Sequence, residues 1–186
     1  MLLKGKIELD ISKERGDVMY EIHVFFAVSY ERSDVYKLLE SAVRQVYGIP
    51  MPKLTKDENG KPYFPDREDI HFSLSHSGKY IMCAVSDSPV GVDIQKEQKI
   101  SDRTKKRIFT EKELENADPI SLWCVKEGFI KLKGKLDRDY KEIEFIRHND
   151  VFCGPEDTCG VILKEIAGYT AAVCSDKLRS IDVLVL

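Results

Sequence analysis

The chain has 186 residues, 42% of them hydrophobic, and carries 29 basic against 32 acidic side chains for a formal net charge of -3. That length suits one large domain or two small halves, the charge balance disfavours a dedicated nucleic-acid binder, and no apolar run approaches the roughly 18 residues that would span a membrane. The opening "MLLKGKIELD" is too short and too charged for a secretion signal. The cysteines, Cys83, Cys124, Cys153, Cys159 and Cys174, include no CxxC pair, so reduced, mostly buried thiols of a cytoplasmic protein are expected.

In chain order, "MYEIHVFFAV" (19–28) predicts a buried strand. "SDVYKLLESAVRQVYG" (33–48) predicts a helix, capped by Ser33 or Asp34 and stopped by Gly48. The Pro, Gly and Asn of 50–66 read as a loop. Strands follow at 70–75, 79–86 and 90–95. "TEKE" from Thr110 is a capping-box pattern for a short helix at 110–116. Asp118, Pro119 and Gly134 supply cap, first position and stop for a helix over 119–133. Leu122, Val125, Phe129 and Leu132 give it an apolar stripe at helical spacing. Strands at 143–148, 159–165, 168–175 and 180–186 complete the chain.

A displacement of 89 residues lays Tyr80, Ser86, Asp87 and Asp93 on Tyr169, Ser175, Asp176 and Asp182 without a gap. It also lays the helix at 33–47 on that at 119–133. Either two amphipathic hairpins look alike by chance, or the fold is α+β with two similar halves, 1–89 and 90–186, packed about a pseudo-twofold axis. Such an interface is a natural place for a ligand cleft.

In "VGVDIQKE" (90–97), Val90, Val92 and Ile94 alternate with Gly91, Asp93 and Gln95. One face is apolar and the other carries an acid and an amide. On the helix, Glu127 and Lys131 are four apart and share a face, one turn beyond Trp123. Taken alone, they read first as a solvated ion pair, Asp93 as the polar end of a strand, and His76 as a loop histidine. Gly128, unfavourable in mid-helix by about 1 kcal/mol relative to Ala, suggests close approach of another backbone or a ligand.

Read together, "GKPYF", "FSLSHSG", "GVDI" and "WCVKEGFIK" occur in the order and spacing of the 4′-phosphopantetheinyl transferases of the surfactin-synthetase-activating type. The chain resembles that family most strongly over 58–136. The resemblance implies an enzyme with a two-half α+β fold, transferring the 4′-phosphopantetheine arm of coenzyme A to a serine of an apo acyl or peptidyl carrier protein. Adenosine 3′,5′-bisphosphate leaves. By the same resemblance, the carrier would serve fatty acid, polyketide or nonribosomal peptide synthesis. It implies Mg2+ held by Asp93 and Glu127, with Gln95 nearby. Lys131 would neutralise diphosphate charge, and Glu127 or a water would take the serine proton. Gly60, Lys61 and Pro62 would border the adenine, while Ser75, His76 and Lys126 would serve the phosphates.

Two departures stand out. Gln95 replaces the third acid often found there, and the segment before the first helix offers only Arg32, Lys37 and Arg44 for the 3′-phosphate. They leave open a non-catalytic relative that only binds coenzyme A or a carrier. The basic stretches 102–109 and 131–138 would suit an acidic carrier. The chain is expected to act as a monomer, without nucleic acid or membrane.

Overall fold

The computed structural model describes residues 4–7, 21–29, 31–163, 166–176 and 180–185. Among them are strands β1 (Lys4–Ile7), β2 (Glu21–Val28), β3 (Thr55–Lys56), β4 (Pro62–Tyr63), β5 (His71–Ser77), β6 (Tyr80–Ser86), β7 (Val90–Lys96), β8 (Ile146–His148), β9 (Val151–Cys153), β10 (Cys159–Leu163), β11 (Tyr169–Ser175) and β12 (Ser180–Val185). The helices are α1 (Asp34–Tyr47), α2 (Asp102–Ile108), α3 (Glu111–Asn116) and α4 (Pro119–Lys133). The predicted strands reaching Met19, Tyr20, Lys164, Glu165 and Leu186 extend there beyond the described residues. The helix α2, the strands β1 and β9 and the small β3–β4 hairpin were not expected.

Local chemistry sets the helix ends. The Asp118 carboxylate accepts from Ser121 N at 3.0 Å, Pro119 stands at the first turn, and Gly134 closes α4 at φ +79°. Thr110 and Glu113 form the reciprocal capping box of α3. Gly48 ends α1 at φ +67°. Each is a position where an oxygen acceptor or a left-handed glycine satisfies otherwise unpaired backbone groups.

The fold has four layers. One sheet runs β1-β12-β2-β6-β5 and the other β7-β11-β10-β9-β8. Between them lie Ile22, Val24 and Phe26 of β2, Met82 and Ala84 of β6, Val90, Val92 and Ile94 of β7, and Ala171 and Val173 of β11. The alternate residues face outward onto helices. Phe25, Cys83 and Val85 meet Leu38, Leu39 and Val43 of α1, while Ala172 and Cys174 meet Val125, Phe129 and Leu132 of α4. This two-residue alternation sends Gly91 and Asp93 of β7 toward α4.

The displacement lays α1 on α4 and the β5–β6 hairpin on β10–β11, but its third strands are not equivalent. The strand β7 pairs antiparallel with β11, the place that β2 takes beside β6. Although β12 overlies β7 in the gapless displacement, it returns to the first sheet and runs parallel outside β2. The repeated unit is therefore β-α-β-β: β2-α1-β5-β6, then β7-α4-β10-β11. Tyr80 and Tyr169 open the matched strands β6 and β11, and their rings meet edge to face at 4.8 Å. Matched positions touch one another only close to an axis relating two halves.

The seam between the sheets has an unusual join. The edge of β7 that faces away from β11 sends Val92 N to Ser73 Oγ at 3.0 Å, Ile94 N to Ser75 Oγ at 3.2 Å and Lys96 N to Ser77 Oγ at 2.9 Å. Three alternate serines of β5 thus satisfy the edge donors of β7 through side chains instead of carbonyls. "SLSHS" is in the sequence for that reason as well as for any ligand.

Backbones also come close where β7 meets α4. A Cβ on Gly91 would lie 1.9 Å from Gly128 O and 2.5 Å from Leu132 N, whereas one on Gly128 would meet Cys174 Sγ at 2.8 Å. The mid-helix glycine is explained by protein packing rather than by a ligand. Gly91→Ala is expected to destabilise the fold by more than about 3 kcal/mol, as overpacking against unyielding backbone does. Gly128→Ala, which meets a side chain, should cost less. Urea denaturation of the two variants checks the order, and equal midpoints would contradict it.

Candidate active site

Asp93 is 2% exposed. A carboxylate so deeply placed is tolerable only with partners. Ser75 Oγ donates to its Oδ1 at 2.8 Å, Lys131 Nζ to the same oxygen at 2.7 Å, and Gln95 Nε2 to Oδ2 at 2.9 Å. Four sequence-predicted residues from β5, β7 and α4 therefore converge on one point. Gln95 faces the acid and not packed apolar protein.

Ser75 also accepts from Ile94 N and from Lys131 Nζ at 2.9 Å. A hydroxyl has one proton, and this one is given to Asp93. Ser75 therefore joins Asp93, the Ile94 backbone and Lys131, its one proton directed at Asp93.

Glu127 stands one turn before Lys131 on the same face of α4. Tyr140, in a single 3-10 turn over Tyr140–Glu142, donates its hydroxyl to Glu127 Oε1 at 2.6 Å. Burial raises the Glu127 pKa above the usual carboxylate range and Asp93 adds to the rise, while the Tyr140 hydrogen bond and Lys131 oppose it. Burial and the facing carboxylate also push the Tyr140 phenol well above its ordinary value, so it remains a donor. Trp123 stacks on Tyr140 with centroids 5.9 Å apart and planes 16° from parallel.

Lys126 is the clearest correction. It is 0% exposed. Its ammonium binds Glu113 at 2.8 Å, the Tyr140 carbonyl at 2.7 Å and the Ile108 carbonyl at 3.0 Å. Glu113 in turn accepts from Phe145 N at 2.9 Å and from Thr110 N at 2.8 Å. All three ammonium donors are committed inside the protein. Lys126 lies on the side of α4 away from Asp93 and is unable to serve a phosphate; it ties α4 to α3 and to residue 140.

His76 is exposed and shares the α1 side of β5 with Phe72 and Leu74, not the Asp93 side. Burial, then the charges of Arg32 and Lys131, lower its pKa. Of the three candidate cations near α1, Lys37 pairs with Asp34 and Arg44 with Glu40. Arg32 makes no ion pair among the described residues and is the one whose charge reaches His76.

Gly60, at φ +84°, turns the β3–β4 hairpin. Asp57 Oδ1 accepts from Asn59 N at 2.9 Å and from Lys61 N at 2.8 Å. The Lys61 ammonium reaches across to the Leu132 carbonyl at 2.9 Å, pinning the hairpin carrying Gly60 and Pro62 to the negative end of α4. A cavity of about 540 Å³ lined by Glu97, Asp118, Arg147 and Tyr169 lies beside the start of α4 and excludes Asp93 and Glu127. Convergent chemistry, rather than depth, marks the site.

Sequence reasoning missed Tyr140 altogether. It sits outside any helical or strand period, so no pattern ties it to Glu127. Arg32 was named only among alternatives. No helix among the described residues is long and apolar enough to cross a membrane. Cys83, Cys124 and Cys174 are buried free thiols, but Cys153 is exposed.

Residues 89–174 match the 4′-phosphopantetheinyl transferase superfamily. The chain is 31% identical to the 4′-phosphopantetheinyl transferase Sfp of Bacillus subtilis over 78% of this chain and 76% of that protein. It is 32% identical, with the same coverage, to the 4′-phosphopantetheinyl transferase ffp of Bacillus subtilis. It is 36% identical to the 4′-phosphopantetheinyl transferase gsp of Aneurinibacillus migulanus over 53% of this chain and 46% of that one.

His76 should titrate below the ordinary histidine value of 6.5. Replacing Arg32 with Gln removes a positive neighbour and should raise the midpoint, because the imidazolium is then less repelled. Proton NMR titration of the two proteins checks this. An unmoved midpoint would place Arg32 out of reach of His76.

Proposed function

The chain belongs to the 4′-phosphopantetheinyl transferase superfamily, and we propose that it transfers the phosphopantetheine arm of coenzyme A to a serine hydroxyl of an apo carrier protein, with adenosine 3′,5′-bisphosphate leaving. The observation that carries this reading is the convergence of Gln95 and Lys131 on Asp93, with Glu127 one turn before Lys131 on the same face of α4 and near enough to feel the charges of Asp93 and Lys131. The non-catalytic alternative gains no support from this arrangement, since the acids and the cation needed for transfer converge.

The donor chemistry fits Mg2+. Asp93 and Glu127 offer carboxylates and Gln95 an amide oxygen, all hard ligands. Among the described residues no group of three or more His, Cys, Asp or Glu side chains forms a fuller cage. A sparse set of one or two acids is what Mg2+ takes when substrate phosphates and water complete its shell. Asp93 and Glu127 would hold the ion, which when bound neutralises charge on the diphosphate.

The chain's own groups do the rest. Lys131, with its side chain 30% exposed, is already drawn to an anion at this point and extends the same charge to diphosphate oxygens. The serine oxygen forms a bond to the pantetheine-side phosphorus. The bond from that phosphorus to the bridging oxygen breaks, and its electron pair departs with adenosine 3′,5′-bisphosphate. Glu127, made more basic by burial, takes the serine proton on Oε2, the oxygen that Tyr140 leaves free. The pinned hairpin of Gly60, Lys61 and Pro62 borders the adenine through backbone, and Arg32 with His76 meets the 3′-phosphate. Ser75 of β5 and Asp93, Gln95, Glu127 and Lys131 of β7 and α4 come from one chain, so a monomer suffices.

Asp93→Asn and Glu127→Gln should each lower transfer at least about a hundredfold without loss of fold, read by mass measurement of the carrier and by circular dichroism. Activity near wild type in either would remove that residue from the site. Gln95→Glu sets a second carboxylate beside Asp93. Its melting temperature without divalent cation should fall by several degrees, and half-maximal rate should come at lower Mg2+, since added negative charge draws a divalent ion. An unchanged Mg2+ requirement in a folded variant would take residue 95 out of the ion's surroundings.

A further inference from the structure

Glu127 has one hydrogen-bond partner among the described residues, the Tyr140 hydroxyl on Oε1. A glutamate has three rotatable side-chain bonds, so a single directional bond decides which way its free oxygen points. Tyr140 is itself fixed from three sides. Trp123 lies flat on its ring, Lys126 holds its carbonyl, and its hydroxyl meets Glu127. Lys126 is in turn locked to Glu113, both side chains being 0% exposed.

We infer that Tyr140 is a positioning residue of the transfer reaction, aiming the Glu127 carboxylate, and that Trp123 and Lys126 act through it. This rests on the role given to Glu127 above. It accounts for the residue types at a helical spacing that by itself only makes them neighbours. Trp123, Lys126 and Glu127 stand at i, i+3 and i+4 of α4, neighbouring positions on the helix surface, and all three touch residue 140, at its ring, its carbonyl and its hydroxyl. "WCVKE" is the imprint on α4 of one 3-10 turn. Tyr140 need not touch substrate. It keeps Oε2 directed at the reacting group before substrate arrives, a preorganisation that lowers the barrier without tightening binding.

The test uses the full chain with coenzyme A, Mg2+ and an apo carrier protein. Tyr140→Phe keeps the stacked ring and removes only the hydroxyl. It should lower kcat about ten- to hundredfold, the weight of one hydrogen bond to a charged group, with both KM values within about twofold. Trp123→Leu keeps the hydroxyl but frees the ring and should lower kcat less, in the same pattern. A second readout needs no turnover. In protein labelled with 13C-carboxyl glutamate, the Glu127 signal, assigned by its loss in Glu127→Gln, should shift or broaden in Tyr140→Phe. Full kcat in Tyr140→Phe, raised KM at constant kcat, or an unmoved Glu127 signal would each overturn the inference. If Glu127→Gln is inactive while Tyr140→Phe is fully active, this inference fails and the functional reading stands. If Glu127→Gln keeps full activity, it is the functional reading that fails; the carboxylate signal still decides whether Tyr140 aims Glu127.

Discussion

A carboxylate held at 2% exposure is the constraint on which this structure turns. An ionised acid in that position is unfavourable by several kcal/mol unless it is paired and hydrogen-bonded. Asp93 meets the condition with a hydroxyl from β5, an amide from its own strand and an ammonium from α4. The serine and the lysine each fix one element against another. The requirement that protects the acid also assembles the site, because the groups that neutralise Asp93 in the free protein are those that would share its charge with a cation or a diphosphate.

The serine ladder makes this placement possible. Were β5 and β7 joined by ordinary strand pairing, the two sheets would merge and β7 would have no distinct face toward α4. Side-chain acceptors from Ser73, Ser75 and Ser77 satisfy the edge donors while holding the strands farther apart. Gly91 then lets α4 approach the strand at backbone distance, which brings Lys131 onto Asp93 and Glu127 into the range of its charge. On the far side of α4, the buried Lys126–Glu113 pair fixes residue 140 as Ser75 fixes Asp93. Both acids of the site are thereby oriented by neutral hydroxyl donors, one from serine and one from tyrosine. Asp93 has the Lys131 ammonium as well, whereas the hydroxyl of Tyr140 is the one hydrogen-bond partner of Glu127 among the described residues.

Much of this was legible in the sequence because it is local. The caps of α3 and α4 are complete chemical statements within a few residues, and the alternation in "VGVDIQ" sets the face of Asp93 before any partner is known. What was illegible is what depends on the seam. The displaced match of Asp93 on Asp182 is a true likeness between two strand edges, but which sheet each strand enters is settled by packing, and β12 went back to the first. Lys126 carries the same charge as Lys131 and lies in the same motif. Only its position on α4, facing Glu113, separates a structural ammonium from a reactive one. Ser75 drew notice as a phosphate donor, yet three neighbours from distant segments take up its hydroxyl. Tyr140 left no trace at all, since its link to Glu127 runs between a helix and an irregular turn.

All of this mechanism depends on one placement, that of the coenzyme A diphosphate against α4 beside Asp93, Glu127 and Lys131. A crystal structure of the chain with coenzyme A and Mg2+ tests it most directly. The account predicts that Lys131 turns from Asp93 to a diphosphate oxygen while Ser75 and Tyr140 keep their carboxylate partners, and that one ion contacts both Asp93 and Glu127. A diphosphate bound elsewhere, with Lys131 still closed on Asp93, would contradict it.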